Sequence, residues 1–380
     1  MKKKIIGILF LMCLCIGMLP LTAFAADDIT LNVDSPSGKS AALQLNSDTT
    51  IDELKATVEK AFGISFADEY WFNCENLSWP DSRLATSGKT TLADYKVKSG
   101  YTVHVEKDLW ENTKENPIHI FGLTISGGVG APEPSRGINP DEVRYDEADF
   151  YWNYYYKTVY INTDKPVTIS GSGVDGASIS IKTGGWAYVT FDNLTLNNTS
   201  ENCIYINPNS FLCLDLKGEN HLTSGSRSDN TIHLSNGFDG SPYAYLWIRG
   251  DGSLDVTSTA SGMSAVGAEY IDVTSWFKIA NGNVTLRGGE NAPAIWVDKV
   301  MADGGTLTAI SGGEDCPGIV GSYSIELSDA VYVKEPTGGT VQTKAYENSD
   351  IISTSPKTMV QKVVITEAPK VYNVVFNKNG

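Results

Sequence analysis

Gly288-Gly289-Glu290-Asn291-Ala292-Pro293-Ala294-Ile295 returns 24 residues later as Gly312-Gly313-Glu314-Asp315-Cys316-Pro317-Gly318-Ile319. Self-similarity at a fixed period marks a chain built from stacked units. Weaker copies stand upstream. Glu201-Asn202-Cys203-Ile204 and Asp229-Asn230-Thr231-Ile232 keep the order acidic, amide, small, apolar, and Ser261-Gly262-Met263-Ser264-Ala265-Val266 fills the gap before Glu290. Short runs separate the copies: Val167-Thr168-Ile169, Tyr188-Val189-Thr190-Phe191, Leu212-Cys213-Leu214, Leu254-Asp255-Val256, Val284-Thr285-Leu286 and Leu307-Thr308-Ala309. Their composition and length predict strands. Repeats of this length, with short strands and glycine corners, suit a parallel β-helix whose turns stack about 4.8 Å apart. A sandwich would need Asn-Gly hairpins at each return. Only Asn281-Gly282 fits, and it lies inside the repeat frame.

With Tyr160-Ile161-Asn162-Thr163-Asp164-Lys165-Pro166-Val167-Thr168-Ile169-Ser170-Gly171-Ser172-Gly173 as an opening coil, residues 160–335 resemble the right-handed β-helix modules of secreted bacterial proteins. Those modules are of the carbohydrate-binding or pectate-lyase-like type. The resemblance implies a polysaccharide or glycoprotein glycan, or a host or bacterial surface protein, as partner. The solenoid is predicted over residues 145–365.

Three kinds of residue in this region bear on chemistry. Glu201, Asp229, Glu290 and Glu314 should recur on one corner, each followed by an amide or acid, and oxygen ligands on stacked turns can hold calcium. Glu290, Glu314 and Asp315 are the calcium candidates. Asp and Asn also serve turns by bonding the backbone and tolerating left-handed conformations, so the same residues suit plain corner chemistry. For catalysis, a general acid/base pair has to meet on one face within about 5–10 Å. His233 stands alone between Ile232 and Leu234, Arg227, Arg249 and Arg287 are scattered, and Asn162-Thr163-Asp164 has no companion motif. The sequence therefore nominates no catalytic residue. The expectation is an adhesin-like protein that binds glycan through the β-helix, and the alternatives are a polysaccharide lyase or glycoside hydrolase on the same β-helix, or a non-binding surface stalk. Aromatic residues are the third kind. Tyr145, Phe150, Tyr151, Trp152, Tyr154, Tyr155, Tyr156 and Tyr160 crowd together, with Trp247, Trp276 and Trp296 further on. Tyr and Trp offer an apolar face and a polar handle, which suits stacking on sugar rings. Tyr151, Trp152, Tyr154, Tyr155, Tyr156, Trp247 and Trp296 are the glycan-stacking candidates. The crowded block equally suits a cap over the open end of a solenoid.

Upstream the pattern changes. Residues 108–144 are rich in Pro, Gly, Asn and charge and read as a linker, in which Ile118-His119-Ile120 and Leu123-Thr124-Ile125 are strand candidates pairing with the β region downstream. Before it, Ile29, Leu31 and Val33 alternate with polar residues, Ser35-Pro36-Ser37-Gly38 makes a turn, and Ala41, Leu43 and Leu45 return. Thr50 with Glu53 is a capping box. Ile51, Leu54, Val58 and Phe62 form one helical face, and Gly63 supplies the left-handed stop. With Thr91-Leu92-Ala93-Asp94-Tyr95 and Tyr101-Thr102-Val103-His104-Val105, this succession over residues 28–107 resembles ubiquitin-like β-grasp domains. The chain runs on through Lys107-Asp108-Leu109 without a terminal Gly-Gly, which excludes conjugation chemistry, and Glu106 stands where the family often has an apolar surface residue. A spacer or interaction role is what the resemblance implies.

The two ends of the sequence bear on location. Lys2, Lys3 and Lys4, an apolar run from Ile5 to Leu19, and Ala23-Phe24-Ala25 are the three parts of a signal peptide over residues 1–25. The run is shorter than the roughly 20 residues a membrane span needs. The predicted location is secreted, displayed at the cell surface. Net charge is −16 before the three n-region lysines are lost, and a chain so acidic repels nucleic acid and anionic headgroups. Cys74, Cys203, Cys213 and Cys316 survive cleavage, too few for a disulfide framework, and allow three pairings or buried free thiols. Val371-Tyr372-Asn373-Val374-Val375-Phe376-Asn377-Lys378-Asn379-Gly380 resembles the first strand of internalin-type (Listeria–Bacteroides) repeats, so residues 366–380 are expected to open a further domain. The whole is predicted mainly β: a small α+β ubiquitin-like β-grasp domain, then a right-handed parallel β-helix solenoid.

Overall fold

The computed structural model describes residues 27–66, 70–77, 83–84, 88–107, 110–111, 113–132, 148–235, 244–268 and 275–369. The predicted signal peptide, Tyr145 and the predicted surface-repeat strand from Val371 lie outside these residues. The chain is mainly β: among the described residues 55 % are in strands and 4 % in helix, and strand pairing dominates the fold. It divides into two compact units, residues 1–34 with 40–104, and residues 35–39 with 105–380.

Among its described residues the first unit holds a small sheet and one helix. Its elements are β1 (Asp28–Asp34), β2 (Ser40–Asn46), α1 (Ile51–Phe62), β3 (Trp71–Cys74), β4 (Arg83–Leu84) and β5 (Thr102–Glu106). The sheet order is β2-β1-β5-β3-β4, with β1 antiparallel to β2 and parallel to β5. Helix α1 forms where its periodicity and caps place it. Thr50 Oγ1 accepts from the Glu53 N–H, the Glu53 carboxylate accepts from the Thr50 N–H at 2.9 Å, and Gly63 closes the helix at φ 65°. Ile51, Leu54, Val58 and Phe62 are all buried, as their shared face requires. His104 of β5 is buried with Nδ1 on the Asp34 carboxylate and Nε2 3.1 Å from Glu75. Both ring nitrogens thus face carboxyl groups, which fixes the ring between β1 and the end of β3.

In the second unit the strands join one large sheet, and its interior pairings are parallel ladders. In the first ladder Val167–Ser172, the start of Trp186–Asn198, Phe211–Lys217, Ala244–Gly250, Ser275–Ile279 and the end of Ile295–Ala302 lie side by side. The second runs from the end of Trp186–Asn198 through Glu219–Ser224, Ser253–Ser258 and Asn283–Glu290 to Thr306–Gly312. The third joins Thr158–Ile161, Ser178–Ile181, Ile204–Ile206, Ile232–Leu234, Val266–Ala268, the start of Ile295–Ala302 and Ile319–Leu327. The chain visits the three ladders in turn and then begins again. Of the six strand cores read from the sequence, the first three fall in the first ladder and the last three in the second.

Alternation along each strand sends every second residue inward. Ala187, Leu212, Leu246, Phe277 and Val300 stack in one inner column, all fully buried. Ile204, Ile232, Val266, Ile295 and Ile319, the apolar ends of the repeat copies, stack in another. Burying each Val, Leu, Ile or Phe of these columns contributes roughly 1.5–3 kcal/mol. The glycines of the repeat are steric. A Cβ at Gly289 would lie 1.8 Å from the Ala260 carbonyl oxygen, and one at Gly312 would lie 1.8 Å from that of Gly289.

Antiparallel strands close both ends of the ladders. Leu123–Ser126 pairs antiparallel with Val167–Ser172 and with Ile118–Ile120, and Phe150–Asn153 pairs antiparallel with Thr158–Ile161. Residues 113–132 are therefore not the free linker their composition suggests, because their alternate apolar residues complete this edge. At the other end Lys362–Glu367 lies antiparallel to both Thr306–Gly312 and Val331–Glu335, and Ser349–Ser353 pairs with Ile319–Leu327. The parallel pairing thus stops near Leu327, short of the residue 365 expected. Cys74, Cys203, Cys213 and Cys316 are buried free thiols.

Candidate functional site

The outward residues of the first ladder form an aromatic face. Alternation turns Ala187, Leu212, Leu246 and Phe277 inward and so turns Trp186, Phe211, Tyr245 and Trp276 outward in a column of paired residues. Beside it runs Tyr188, Cys213, Trp247 and Lys278. Trp186 sits at the centre, with ring centroids 5.3 Å from Phe211, 5.5 Å from Tyr245, 6.1 Å from Trp247 and 6.4 Å from Tyr188. Trp276 meets Tyr245 edge to face at 5.8 Å. Tyr188 is exposed, the other rings are half-buried, and the indole Nε1 of Trp247 has no hydrogen-bond partner among the described residues.

Cations border the rings. Arg249 and Lys278 approach Trp247 at 5.6 and 5.5 Å, and Lys299 approaches Trp276 at 5.4 Å. Each is held by a carboxylate: Arg249 by Asp215 through two bonds of 2.9 and 2.6 Å, Lys278 by Asp303 at 2.6 Å, Lys299 by Glu326 at 2.7 Å. The face is therefore charge-balanced. Burial first, and nearby Asp303 second, push the Tyr245 phenol up to about 12, so it remains a neutral O–H donor. Such a face offers apolar ring surface, tyrosine hydroxyls and no net charge.

The other residues singled out from the sequence are not gathered here. Trp152 is fully buried with Phe150 6.3 Å away, and both fill the core beside the antiparallel end strands. Tyr151 is also buried. It stacks on Tyr160 at 4.7 Å, and Lys182 donates to its hydroxyl at 3.2 Å. Neither Tyr151 nor Trp152 presents a free ring to a sugar, because alternation in Phe150–Asn153 and the stack on Tyr160 cover them. Tyr154 is half-buried with its ring edge on Phe121, while Tyr155 (86 % exposed) and Tyr156 (53 %) stand free of the core. Trp296 belongs to the third ladder, against Tyr346 at 6.4 Å, and only Trp247 of the stacking candidates lies on the aromatic face. Sequence reading missed Trp186, Tyr188, Phe211 and Tyr245. Their common signal is an aromatic residue one place before or after an inward apolar one in each first-ladder strand.

The acidic corner behaves as a set of turns. Glu290 pairs with Gly312 and not with Glu314, Asn291 adopts φ 59°, and the Asn230 side chain accepts from the Ser264 N–H at 2.9 Å. Among the described residues no three His, Cys, Asp or Glu side chains converge in a metal-holding group, and the calcium candidates Glu290, Glu314 and Asp315 are exposed. His233 is buried, stacked on Tyr205 at 5.0 Å, with Nδ1 3.4 Å from Asp229. Among the described residues no helix is long and apolar enough to cross a membrane. Protein-family models, curated proteins and solved structures give no significant match to this chain.

Proposed function

We propose that the large unit is a right-handed parallel β-helix, that the small unit is a ubiquitin-like β-grasp domain, and that the protein is an exported, surface-displayed glycan-binding protein. The coil-by-coil ladders support the first reading. The sheet order β2-β1-β5-β3-β4 with one capped helix supports the second. The aromatic face of Trp186, Tyr188, Phe211, Tyr245, Trp247 and Trp276 carries the third, since half-buried rings with polar handles and no net charge match the apolar faces and hydroxyls of sugars. The small domain acts as spacer or interaction module in an adhesin-like arrangement, and the signal peptide delivers the whole to the cell exterior.

The test is retention of mature protein on a glycan array, repeated with Trp247→Ala and Trp276→Ala. Each substitution is expected to weaken retention roughly tenfold while the thermal transition stays cooperative. Absence of retention on every glycan, or unchanged binding in both variants, overturns the reading. Release of reducing ends or of unsaturated products would instead make the protein a glycoside hydrolase or lyase.

A further inference from the structure

A concave surface lies where the second ladder turns toward the third. The groove has a volume of about 960 Å³, and Asp175, Asn197, Thr199, Thr223 and Arg227 are among its lining residues. That volume is at the upper end of the range of small-ligand sites, about 300–1,000 Å³. Its polar groups are of three kinds. Asp175 presents a carboxylate whose oxygens accept from the hydroxyl and N–H of Thr199 at 3.2 Å. Asn197 and Thr223 are register partners on adjacent strands, and neither side chain has a hydrogen-bond partner among the described residues. Arg227 is exposed and, among the described residues, unpaired. By contrast Arg249 and Arg287, the other described arginines of the second unit, are each bonded twice to an aspartate.

The uncommitted guanidinium of Arg227 stands out in a chain of net charge −16, and its forked donors match the geometry of an oxyanion. The rest of the groove suits hydroxyls. A carboxylate and an amide accept from and donate to them, and Asp175 would repel a second anionic group. We infer that this groove binds a terminal sugar bearing a single anionic group, with its oxyanion on Arg227 and its hydroxyls toward Asp175, Asn197 and Thr223. A polyanionic chain is disfavoured by the one cation lining the groove and by the field of the whole protein. The site shares no residue with the aromatic face, so either stands if the other fails.

Binding of 3′-sialyllactose, 3′-sulfolactose and lactose to the mature protein, measured by calorimetry, tests this. At least one anionic sugar is expected to bind roughly tenfold or more tightly than lactose. The carboxylate and sulfate arms tell which oxyanion is preferred. Arg227→Gln is expected to erase the preference, and Trp247→Ala to leave it intact. High salt should weaken it. Equal affinity for all three sugars, a preference that survives Arg227→Gln, or tighter binding of polygalacturonate than of either anionic trisaccharide or disaccharide would overturn the inference.

Discussion

Trp152 and Tyr155 are close in sequence and opposite in role. Trp152 is sealed in the core, so Trp152→Ala should cost about 3–5 kcal/mol, read as a lowered urea midpoint. Tyr155→Ala and Tyr156→Ala touch exposed rings and should shift stability by no more than about 0.5 kcal/mol. Asp149 sets an acid limit. Burial opposes its charge, yet Lys165, Thr163 Oγ1 and the Val129 N–H, at 2.8–3.0 Å, hold its carboxyl below the usual carboxylate range. A folded pKa below the unfolded one gives stability that is complete above the unfolded value, about 3.9, and is lost as pH falls through the folded value. Asp149→Asn should flatten that acid limb in a pH series of unfolding curves. Burial likewise pushes the Cys74 thiol up to about 11 and that of Cys203 up to about 12. At pH 8 the folded mature protein should resist a thiol reagent, and the unfolded chain should show all four of Cys74, Cys203, Cys213 and Cys316 as free thiols.

Helix α1 is the element whose local code is most complete. Its capping box satisfies donors that would otherwise be orphaned at the N-terminus. Thr50→Ala should cost about 1 kcal/mol, visible as faster hydrogen exchange of the α1 amides. The strands of the first ladder have a different logic. Each is defined by alternation, but its outward face gains meaning only from its neighbours, as the cross-strand contacts around Trp186 do.

For the large sheet as a whole, the ends are the vulnerable points. A stack of parallel strands presents an unpaired edge wherever it stops, and an unpaired edge recruits other chains. Lys362–Glu367 and Ser349–Ser353 cover that edge by pairing antiparallel to Thr306–Gly312 and Ile319–Leu327. Deleting residues 328–369 should leave a protein that elutes as aggregates in size-exclusion chromatography, where the intact mature chain does not.

The sequence by itself determined whatever depends on near neighbours: the caps and apolar face of α1, the strand alternation, and the recurring phrase that ends at Ile204, Ile232, Val266, Ile295 and Ile319. These are short-range signals, fixed by backbone geometry and the period of side chains. Tertiary structure alone decided which outward residues meet. Trp186, Phe211, Tyr245 and Trp276 are unequally spaced along the chain because the corners between ladders differ in length, so no fixed period exposes the column they form. The same holds for Arg227, which reads in sequence like Arg249 and Arg287. Only the register of the parallel strands gives those two an aspartate each and leaves Arg227, among the described residues, without one.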